Sequence, residues 1–409
     1  MSVSLLNSEA DVFILKLNLI ILKLLGLAPV SFNITKSTLN ESGRSVTCKI
    51  SLPGIIYNIC LIIFSCILVY ISLPELYNTE YINKTPLTQT IDVTLALIGN
   101  IVAVMVIVIF SCQCKLVVSI FNKLFHIETN FSKLLNTSKN RRKKYPSILF
   151  FWTNIFYCIY VALVHIGALH NDFISLFALT FPTTVCGCLI TQYSLVATLV
   201  EDKFKRLNQA LLKLLTIVQT SACSERTILS RLFAIKKQRF SLCELTAKIS
   251  QFFGLPLLFT ITYFSGALIY ATHLVVRQFI ILLEPNRPLT LNTLAFILLI
   301  TMPIISLCIL VTRINIEMDK TADIVRKLMM QFRDYEIIKS ELQDFFLELL
   351  HPSVQFTAYN VFSLDCSLLY SIFSAVATYL VILAQVPDEP CTGSHEGHYG
   401  CSGGSNVTL

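Results

Sequence analysis

The side chains best suited to metal or redox chemistry lie at the C-terminal end of this chain. Cys391, His395, His398 and Cys401 have C-x3-H-x2-H-x2-C spacing, which suits a zinc ion or, through the two thiols, a disulfide. Glycine and serine surround these residues, and such a composition is typical of a flexible extension. We therefore expect a flexible tail, with a disulfide or a metal site as alternatives, and we assign no metal.

Polar side chains also interrupt the last long apolar run, which ends in TYLVILAQV. On a helix, Gln385 shares a face with Thr378, Ile382 and Ala375, and Val386 lies beside it. Hydroxyl and amide groups in a spanning helix either bond to a neighbouring helix, for about 0.6–2 kcal/mol each, or face water. The residues alone leave both roles open, whereas a simple membrane anchor would need neither.

Other groups with catalytic potential are isolated in the sequence. His165 and His273 lie near the ends of apolar segments and lack a nearby partner that would indicate a catalytic triad or a metal site. Glycine-rich phosphate loops are absent, and the 13 glycines are scattered. We therefore predict that the protein is not an enzyme and needs no cofactor.

Most of the chain is apolar: 54% of the residues are apolar, 14% are charged and the mean hydropathy is +0.68. The side chains described above must therefore be positioned by long apolar segments. Such a composition excludes an ordinary soluble domain. About 20 mostly apolar residues cross the hydrocarbon core as a helix, whereas a β-barrel shows short alternating segments. We predict an all-α membrane protein with seven transmembrane helices at 53–74, 91–111, 147–169, 172–200, 253–283, 292–312 and 362–386.

Basic residues predict the orientation of these spans. Of the 32 lysines and arginines, 29 fall in residues 1–52, 112–146, 201–252 and 313–361, whereas 1 falls in 75–90 and 2 fall in 273–291. By the positive-inside rule the N-terminus is cytoplasmic and the C-terminus extracellular. A G-protein-coupled receptor has the opposite orientation. The basic residues of the cytoplasmic segments explain the formal net charge of +7, because such residues are attracted to the inner leaflet. We therefore predict no nucleic-acid partner.

The cytoplasmic segments carry amphipathic helices of their own. Residues 13–27 suit a helix on the inner membrane face, and residues 336–350 form a further amphipathic segment. Three more segments show apolar residues at helical spacing, so we expect helical extensions that pack on one another beneath the membrane or on other subunits. Their apolar positions are Phe204, Leu207, Leu211, Leu214, Leu215 and Val218; Leu232, Ile235, Leu242, Leu245 and Ile249; and Ile316, Ile324, Leu328 and Phe332.

The C-terminal region resembles the signature of the insect gustatory receptors. In that family the last helix carries Thr-Tyr, five mainly hydrophobic residues and Gln-Phe, and here Thr378, Tyr379 and Gln385 match while Val386 replaces the phenylalanine. Cys366 stands where a charged or polar residue is common. The other matching residues are Phe356-Thr357, Leu364-Asp365 and Ser367-Leu368-Leu369. The seven spans and the inside N-terminus extend the resemblance in outline to the whole chain.

This resemblance implies a homotetramer, or a heteromer with related receptors, that forms a ligand-gated, nonselective cation channel around a central pore. One seventh helix from each subunit lines the pore. Thr378, Ile382, Gln385 and Val386 then form the pore and gate, with Tyr379 and Ala375 as motif or structural positions. Dewetting between apolar rings can close such a pore. Outside it, Asp388 and Glu389 form acidic rings that concentrate cations, or a solvated tail.

The resemblance also implies a ligand pocket for a small tastant in the outer half of the second to sixth spans. Such sites are mainly apolar with a few oriented polar groups. The candidates on this topology are Thr94, Asn100, Tyr160, His165, Phe173, Phe177, Tyr263, Tyr270, His273 and Asn292. Leu380 follows the Thr-Tyr pair where sugar-sensing members often carry glutamate, which favours bitter plant compounds over sugars. A fructose-type ligand stays open, because that subtype also has a hydrophobic residue there.

These inferences predict the organisation of the chain in a sensory neuron's plasma membrane, in contact with lipid. The rival hypothesis is a seven-helix receptor that signals through a cytosolic partner of the G-protein type. The predicted parts are an N-terminal cytoplasmic segment with an interfacial helix at 1–52, six spans with the pocket and helical extensions at 53–312, anchor helices at 313–361, a pore helix at 362–386 and an extracellular tail at 387–409.

Overall fold

The fold consists of long helices and two short hairpins. The computed structural model describes residues 19–36, 44–78, 86–134, 152–153, 155–157, 159–163, 166, 173–220, 225–280, 287–350 and 355–385. Its helices are α1 (Leu52–Asn78), α2 (Pro86–Cys112), α3 (Cys114–Leu134), α4 (Phe173–Thr220), α5 (Glu225–Ile280), α6 (Arg287–Gln331), α7 (Glu336–Leu350) and α8 (Cys366–Ala384). Its strands are β1 (Val30–Lys36), β2 (Arg44–Ile50), β3 (Thr357–Ala358) and β4 (Phe362–Ser363).

The helices confirm the predicted all-α membrane class. Among the described residues, five helices are long and apolar enough to cross a membrane, namely α1, α2, α4, α5 and α6, and Cys366–Ile382 of α8 forms a shorter apolar helix. The predicted span at 147–169 lies largely outside the described residues, although its described parts are helical from 152 to 163. The chain is therefore a multi-pass membrane protein.

The N-terminal segment differs from the prediction of a helix over 13–27. Its described helical residues are 19–24, and β1 and β2 then pair antiparallel, with Val30 opposite Ile50. Asn122 on α3 fixes β2, because its Oδ1 accepts the Cys48 N–H at 3.1 Å and its Nδ2 donates to the Cys48 carbonyl at 3.4 Å. A long-range side-chain clamp therefore stabilises a strand that was not predicted from the sequence.

A second clamp attaches the N-terminal segment to α1 and α2. Gly26 has a φ of 76°, and a Cβ there would lie 3.2 Å from Asn58 and from Ile107. The buried Asn58 amide donates to the Gly26 carbonyl at 2.9 Å and to Ser111 Oγ at 2.8 Å. Only glycine adopts this backbone conformation readily and also leaves room for the amide.

Helices α4, α5 and α6 each continue well beyond a single span, as the apolar spacing predicted. Nearly all of the apolar positions predicted to lie on helix faces are buried within the chain, which confirms that the extensions pack on one another. Ile316 and Leu215 are the exceptions, since 47% of Ile316 is exposed and Leu215 is half-buried. The Val218 side chain lies outside the described part. We call the end of the bundle that carries residues 201–250 and 313–350 the basic end, and the other the distal end.

Ion pairs join the helices at the basic end. Glu201 on α4 accepts hydrogen bonds from Lys205 at 2.6 Å and pairs with Arg313 on α6 at 2.9 Å. Glu244 on α5 pairs with Lys123 on α3 and with Lys248, and these ammonium groups, Lys123 first, lower the pKa of its carboxyl. The basic residues counted as an orientation signal therefore also connect helices.

Candidate functional site

The last helix begins later than predicted. Residues 362–363 form β4, and the helix starts at Cys366 because Asp365 caps it: its Oδ1 accepts the Ser367 N–H at 2.9 Å and the Ser363 hydroxyl at 3.2 Å. An aspartate in this position satisfies a backbone donor that the first helical turn leaves free. The prediction of a helix from 362 was therefore wrong by one turn.

One face of α8 packs against the rest of the chain. Leu368, Ile372 and Val376 recur every four residues and are buried, and α8 contacts α5 and α6. Residues four apart share a helix face, so this stripe is the side by which the subunit holds α8.

The opposite face of α8 carries polar side chains. At 100° per residue their positions fall within an arc of about 60°. All five are exposed: Ser367, Ser371, Ser374, Thr378 and Gln385. We call them the α8 polar stripe. Thr378 and Gln385 were predicted from the sequence, whereas the three serines were not, although their spacing also fits one helix face.

Local hydrogen bonds leave acceptor oxygens of the α8 polar stripe facing outward. The Ser371 hydroxyl donates to the Ser367 carbonyl at 3.2 Å, and the Thr378 hydroxyl donates to the Ser374 carbonyl at 2.9 Å. Each of these hydroxyl oxygens keeps the capacity to accept a further hydrogen bond. The stripe can therefore bind water or a cation along its length.

The distal end of α8 carries the predicted gate positions. Ile382 and Tyr379 are about half exposed, at 49% and 51%, and Ala375 is half-buried. The helix ends at Ala384. Gln385 lies in a turn, and its N–H donates to the Ile382 carbonyl at 3.1 Å. The predicted end of the helix at 386 was therefore too late. Val386, Asp388, Glu389 and the cysteine–histidine tail lie outside the described residues.

A tyrosine cluster lies among α2, α4 and α5. Tyr263 on α5 is buried against Gly99 on α2, where a Cβ would lie 2.7 Å from its hydroxyl, and it hydrogen-bonds Thr183 on α4. Tyr157 lies against Gly187, where a Cβ would lie 2.0 Å from its ring, and donates to the Thr183 carbonyl at 3.2 Å. The sequence analysis predicted Tyr263 and missed Tyr157 and Thr183, because helix rotation brings them together.

Other predicted pocket residues lie nearby. Tyr160 donates to the Ala295 carbonyl on α6 at 2.9 Å, one helical turn from the half-buried Asn292. On α5, His273 is buried and Tyr270 is half-buried. The Tyr160 hydrogen bond therefore joins the described helical residues around Tyr160 to α6.

Asn100 and Thr94 on α2 differ in position. Asn100 is buried and donates to the Ala96 carbonyl at 2.8 Å, whereas Thr94 lies on the exposed face of the helix. A side chain on that face does not point into the helix bundle, so Thr94 leaves the candidate set. Phe173 and Phe177 lie within α4, but their side chains, like all of His165, fall outside the described part.

The described residues also bear on whether the site could hold a metal ion. They contain no group of three histidine, cysteine or acidic side chains that could hold a metal ion, and none of the ten cysteines described there forms a disulfide. The site therefore consists of hydroxyl, amide and aromatic groups in the part of the chain that the structure covers.

Comparisons with known proteins agree with this architecture. A family model for the 7tm chemosensory receptors matches residues 15–386. The chain is 28% identical over 175 residues to putative gustatory receptor 28b of Drosophila melanogaster, which covers 41% of this chain and 37% of the relative. It is 41% identical over 69 residues to gustatory and pheromone receptor 32a of the same organism, covering 17% and 14%. The matches thus span 37% or less of the length of these relatives.

A solved structure shares the fold. The insect olfactory receptor OR5 from Machilis hrabei aligns with a TM-score of 0.60 over 92% of this chain and 99% of the receptor, at 14% identity. The same receptor in complex with eugenol gives a TM-score of 0.59. With the family match covering most of its length, the chain belongs to the 7tm chemosensory receptor family, a family of receptors and not of enzymes.

Proposed function

We propose that this chain is a gustatory receptor subunit that forms a ligand-gated, nonselective cation channel. The α8 polar stripe is the observation that carries the proposal, because five exposed polar side chains share one face of an apolar helix. A lone subunit in lipid would turn this face to hydrocarbon, where polar groups are unfavourable. Copies of α8 around an axis turn it to water instead.

Four copies of α8 around that axis are the assembly we propose, with a heteromer of related receptors as the variant. Exposed apolar side chains at the basic end support a contact with further copies of the chain. They lie on α5 and on or near α7, outside the apolar stripes already buried within the subunit: Phe233, Phe240, Ile337, Leu347 and Leu350. Such exposed side chains suit a subunit interface.

The gate in this proposal lies at the distal end of the pore. Ile382 is exposed beside the α8 polar stripe, and a ring of four such side chains closes a narrow pore by dewetting. Val386 continues this ring in the proposal. Gln385 adds an amide ring without formal charge, which discriminates little among small cations. Asp388 and Glu389 would concentrate cations at the entrance.

The tyrosine cluster and its neighbours are the proposed ligand site. Tyr157, Tyr160, Tyr263 and Thr183 supply aromatic surface and hydroxyl groups among the helices of the bundle. Toward the distal end, His273 lies on α5 and Asn292 on α6. A mainly apolar site with few polar groups suits a small amphiphilic molecule. The olfactory receptor OR5, which shares this fold, forms a complex with one small molecule, eugenol. Bitter plant compounds are the proposed ligand class, with fructose as the alternative.

The proposed location is the plasma membrane of a sensory neuron. The basic end then faces the cytosol with the N-terminus, and the C-terminus is extracellular. Tags at the two ends, probed on intact cells, test this orientation: only the C-terminal tag should be accessible to an antibody.

Recording from excised patches tests the channel directly. The chain is expressed alone, and patches are bathed without GTP and exposed to a panel of bitter plant compounds and fructose. We expect ligand-evoked current that reverses near the same potential in Na⁺ and K⁺. Silence despite surface delivery and measured ligand binding would instead support a receptor that signals through a cytosolic partner.

A further inference from the structure

We infer that the β3–β4 hairpin clamps the base of α8 in its resting position, and that Gly254 on α5 and Thr312 on α6 are the positioning residues that hold the clamp. The inference rests on the proposed channel function and deepens it, since it assigns the contacts that restrain the pore helix in the absence of ligand.

The hairpin is a stiff unit joined directly to α8. Thr357 pairs with Ser363 and Ala358 with Phe362, and the turn between them places Tyr359 and Asn360 at φ values of 51° and 60°. Positive φ at both central residues is typical of a tight hairpin turn, and the Val361 N–H closes this turn on the Ala358 carbonyl at 3.0 Å. One residue after the hairpin, Leu364 N–H bonds back to the Phe356 carbonyl at 2.9 Å, and the Asp365 cap follows immediately.

Gly254 lets the hairpin approach the backbone of α5. A Cβ at this position would lie 3.0 Å from Tyr359 N, 3.5 Å from its Cα and 3.6 Å from the Thr357 carbonyl oxygen. One turn earlier on α5, the Ser250 hydroxyl donates to the Gln355 carbonyl at 3.3 Å. The neighbouring atoms are backbone, so they cannot rotate away as a flexible side chain would. Any side chain at 254 therefore pushes the hairpin outward.

Thr312 holds the other side of the clamp. The Cys366 N–H, at the first position of α8, donates to Thr312 Oγ1 at 3.2 Å, and the Thr312 hydroxyl donates to Cys366 Sγ at 3.3 Å. This pair joins α6 to the first turn of α8. Loss of the hydroxyl leaves a helix-terminal N–H without its partner.

The clamp lies on the two helices that also carry proposed ligand positions. Tyr263 and His273 lie on α5 beyond Gly254, and Asn292 lies on α6 before Thr312, so each helix links the ligand site to the base of the pore helix. A ligand that shifts α5 or α6 would thus relax the clamp. A continuous helix with two discrete contacts is the physical basis for such coupling.

Labelling of the native Cys366 thiol tests the clamp without any ligand. Purified protein in lipid vesicles is treated with a water-soluble maleimide, and the Cys366-containing peptide is quantified by mass spectrometry. Gly254→Ala should label about five-fold faster than the unmodified chain or more, the lower range of typical coupling effects. Gly266→Ala on the same helix is the matched control, because its Cβ meets only Leu95 at 4.0 Å. Both variants gain helix propensity equally.

A second pair of variants tests Thr312. Thr312→Val removes the hydroxyl with little change in shape and should also speed Cys366 labelling. Thr312→Ser keeps the hydroxyl and should restore the rate of the unmodified chain. If lost packing alone caused the effect, Thr312→Ser, which lacks a methyl group, should label at least as fast as Thr312→Val. Labelling of Thr312→Ser at the rate of the unmodified chain would instead show that the hydroxyl positions α8.

Ligand-free current completes the test. Gly254→Ala and Thr312→Val should raise the current recorded without ligand, at equal surface amounts, while Gly266→Ala and Thr312→Ser should not. Unchanged labelling in both test variants overturns the clamp, whether or not the chain conducts. Faster labelling without increased ligand-free current, in a chain that conducts, overturns the claim that the clamp holds the pore at rest. A chain that never conducts contradicts the proposed function, and the labelling result then decides the clamp alone.

Discussion

Helices α1 and α8 are both strongly apolar, yet they place their polar residues on opposite sides. On α1, Asn58, Ser65 and Ser72 recur every seven residues and are buried at 2–4% exposure. The exposed face of α1 is apolar and includes Ile56, Ile59, Ile63, Phe64 and Ile67. On α8, Leu368, Ile372 and Val376 are buried, whereas the polar stripe is exposed next to apolar side chains such as Tyr370 and Phe373.

This inversion indicates different surroundings for the two helices. Small polar residues at helix contacts and apolar residues toward lipid are usual for a membrane bundle, and α1 follows that rule against α2 and α4. The pattern of α8 reverses the rule, as expected for a helix that faces water in the assembled protein. Composition alone does not separate the two helices; the direction of their polar groups does.

The largest expected effect comes from filling the polar face of α8. Ser374→Leu places a large apolar side chain from each subunit in the proposed pore, and we expect the single-channel conductance to fall on the order of tenfold or more, because apolar constrictions exclude water. Single-channel recording measures it. Cys66→Leu on the exposed face of α1 is the control and should leave conductance unchanged. Equal conductance in Ser374→Leu and the unmodified chain would contradict the orientation of α8.

The packed face of α8 tests the other half of the comparison. Ile372→Ala removes a buried side chain between α8 and the helices behind it, and we expect a loss of about 2–5 kcal/mol in unfolding free energy. Thermal unfolding in detergent, followed by intrinsic fluorescence, reports the change. Ser371→Ala, on the polar face next to it, should cost far less; a larger loss for Ser371→Ala would place the packed face elsewhere.

On α1, the buried Asn58 should stabilise the fold. Asn58→Leu leaves the Gly26 carbonyl and Ser111 without their donor, so we expect a loss of about 1–3 kcal/mol. The same unfolding assay measures it, with Ile59→Leu on the exposed face as the control. An unchanged unfolding temperature for Asn58→Leu would mean that the inward polar face of α1 does not stabilise the fold.

The smallest effect is expected on the lipid side of α1. Cys66→Ala changes one exposed residue in an apolar surface, and the unfolding free energy should stay within about 0.5 kcal/mol. Current and unfolding should both match the unmodified chain. A loss of current would indicate that this face of α1 meets another subunit and not lipid.

The sequence predicted the spans and the buried stripes well, since long apolar runs and three- to four-residue spacing are local properties. Phe204, Leu211 and Leu328 were predicted on apolar faces and are buried. The fold class and the family followed from the same patterns and from the C-terminal motif. These features can be predicted from the sequence because hydrophobic burial follows mainly from the spacing of apolar residues along the chain.

Features that depend on tertiary contacts were not predictable in the same way. The β1–β2 hairpin depends on a clamp from Asn122, 74 residues from Cys48. The contact of Tyr157 with Gly187 depends on how two helices rotate against each other. The serines of the α8 polar stripe were visible in the sequence, but only the packing of Leu368, Ile372 and Val376 shows which way they face.

Thiol accessibility measures the direction of α8 most directly. Ser374→Cys is treated with a charged, water-borne thiol reagent in membranes, with and without stimulation, and native Cys60 and Cys66 on the exposed face of α1 serve as internal lipid-side references. The account predicts that the introduced thiol reacts in at least one state and that its modification blocks current, while Cys60 and Cys66 stay unmodified. A thiol at 374 that resists the reagent in both states, as Cys60 and Cys66 do, would contradict a pore lined by α8.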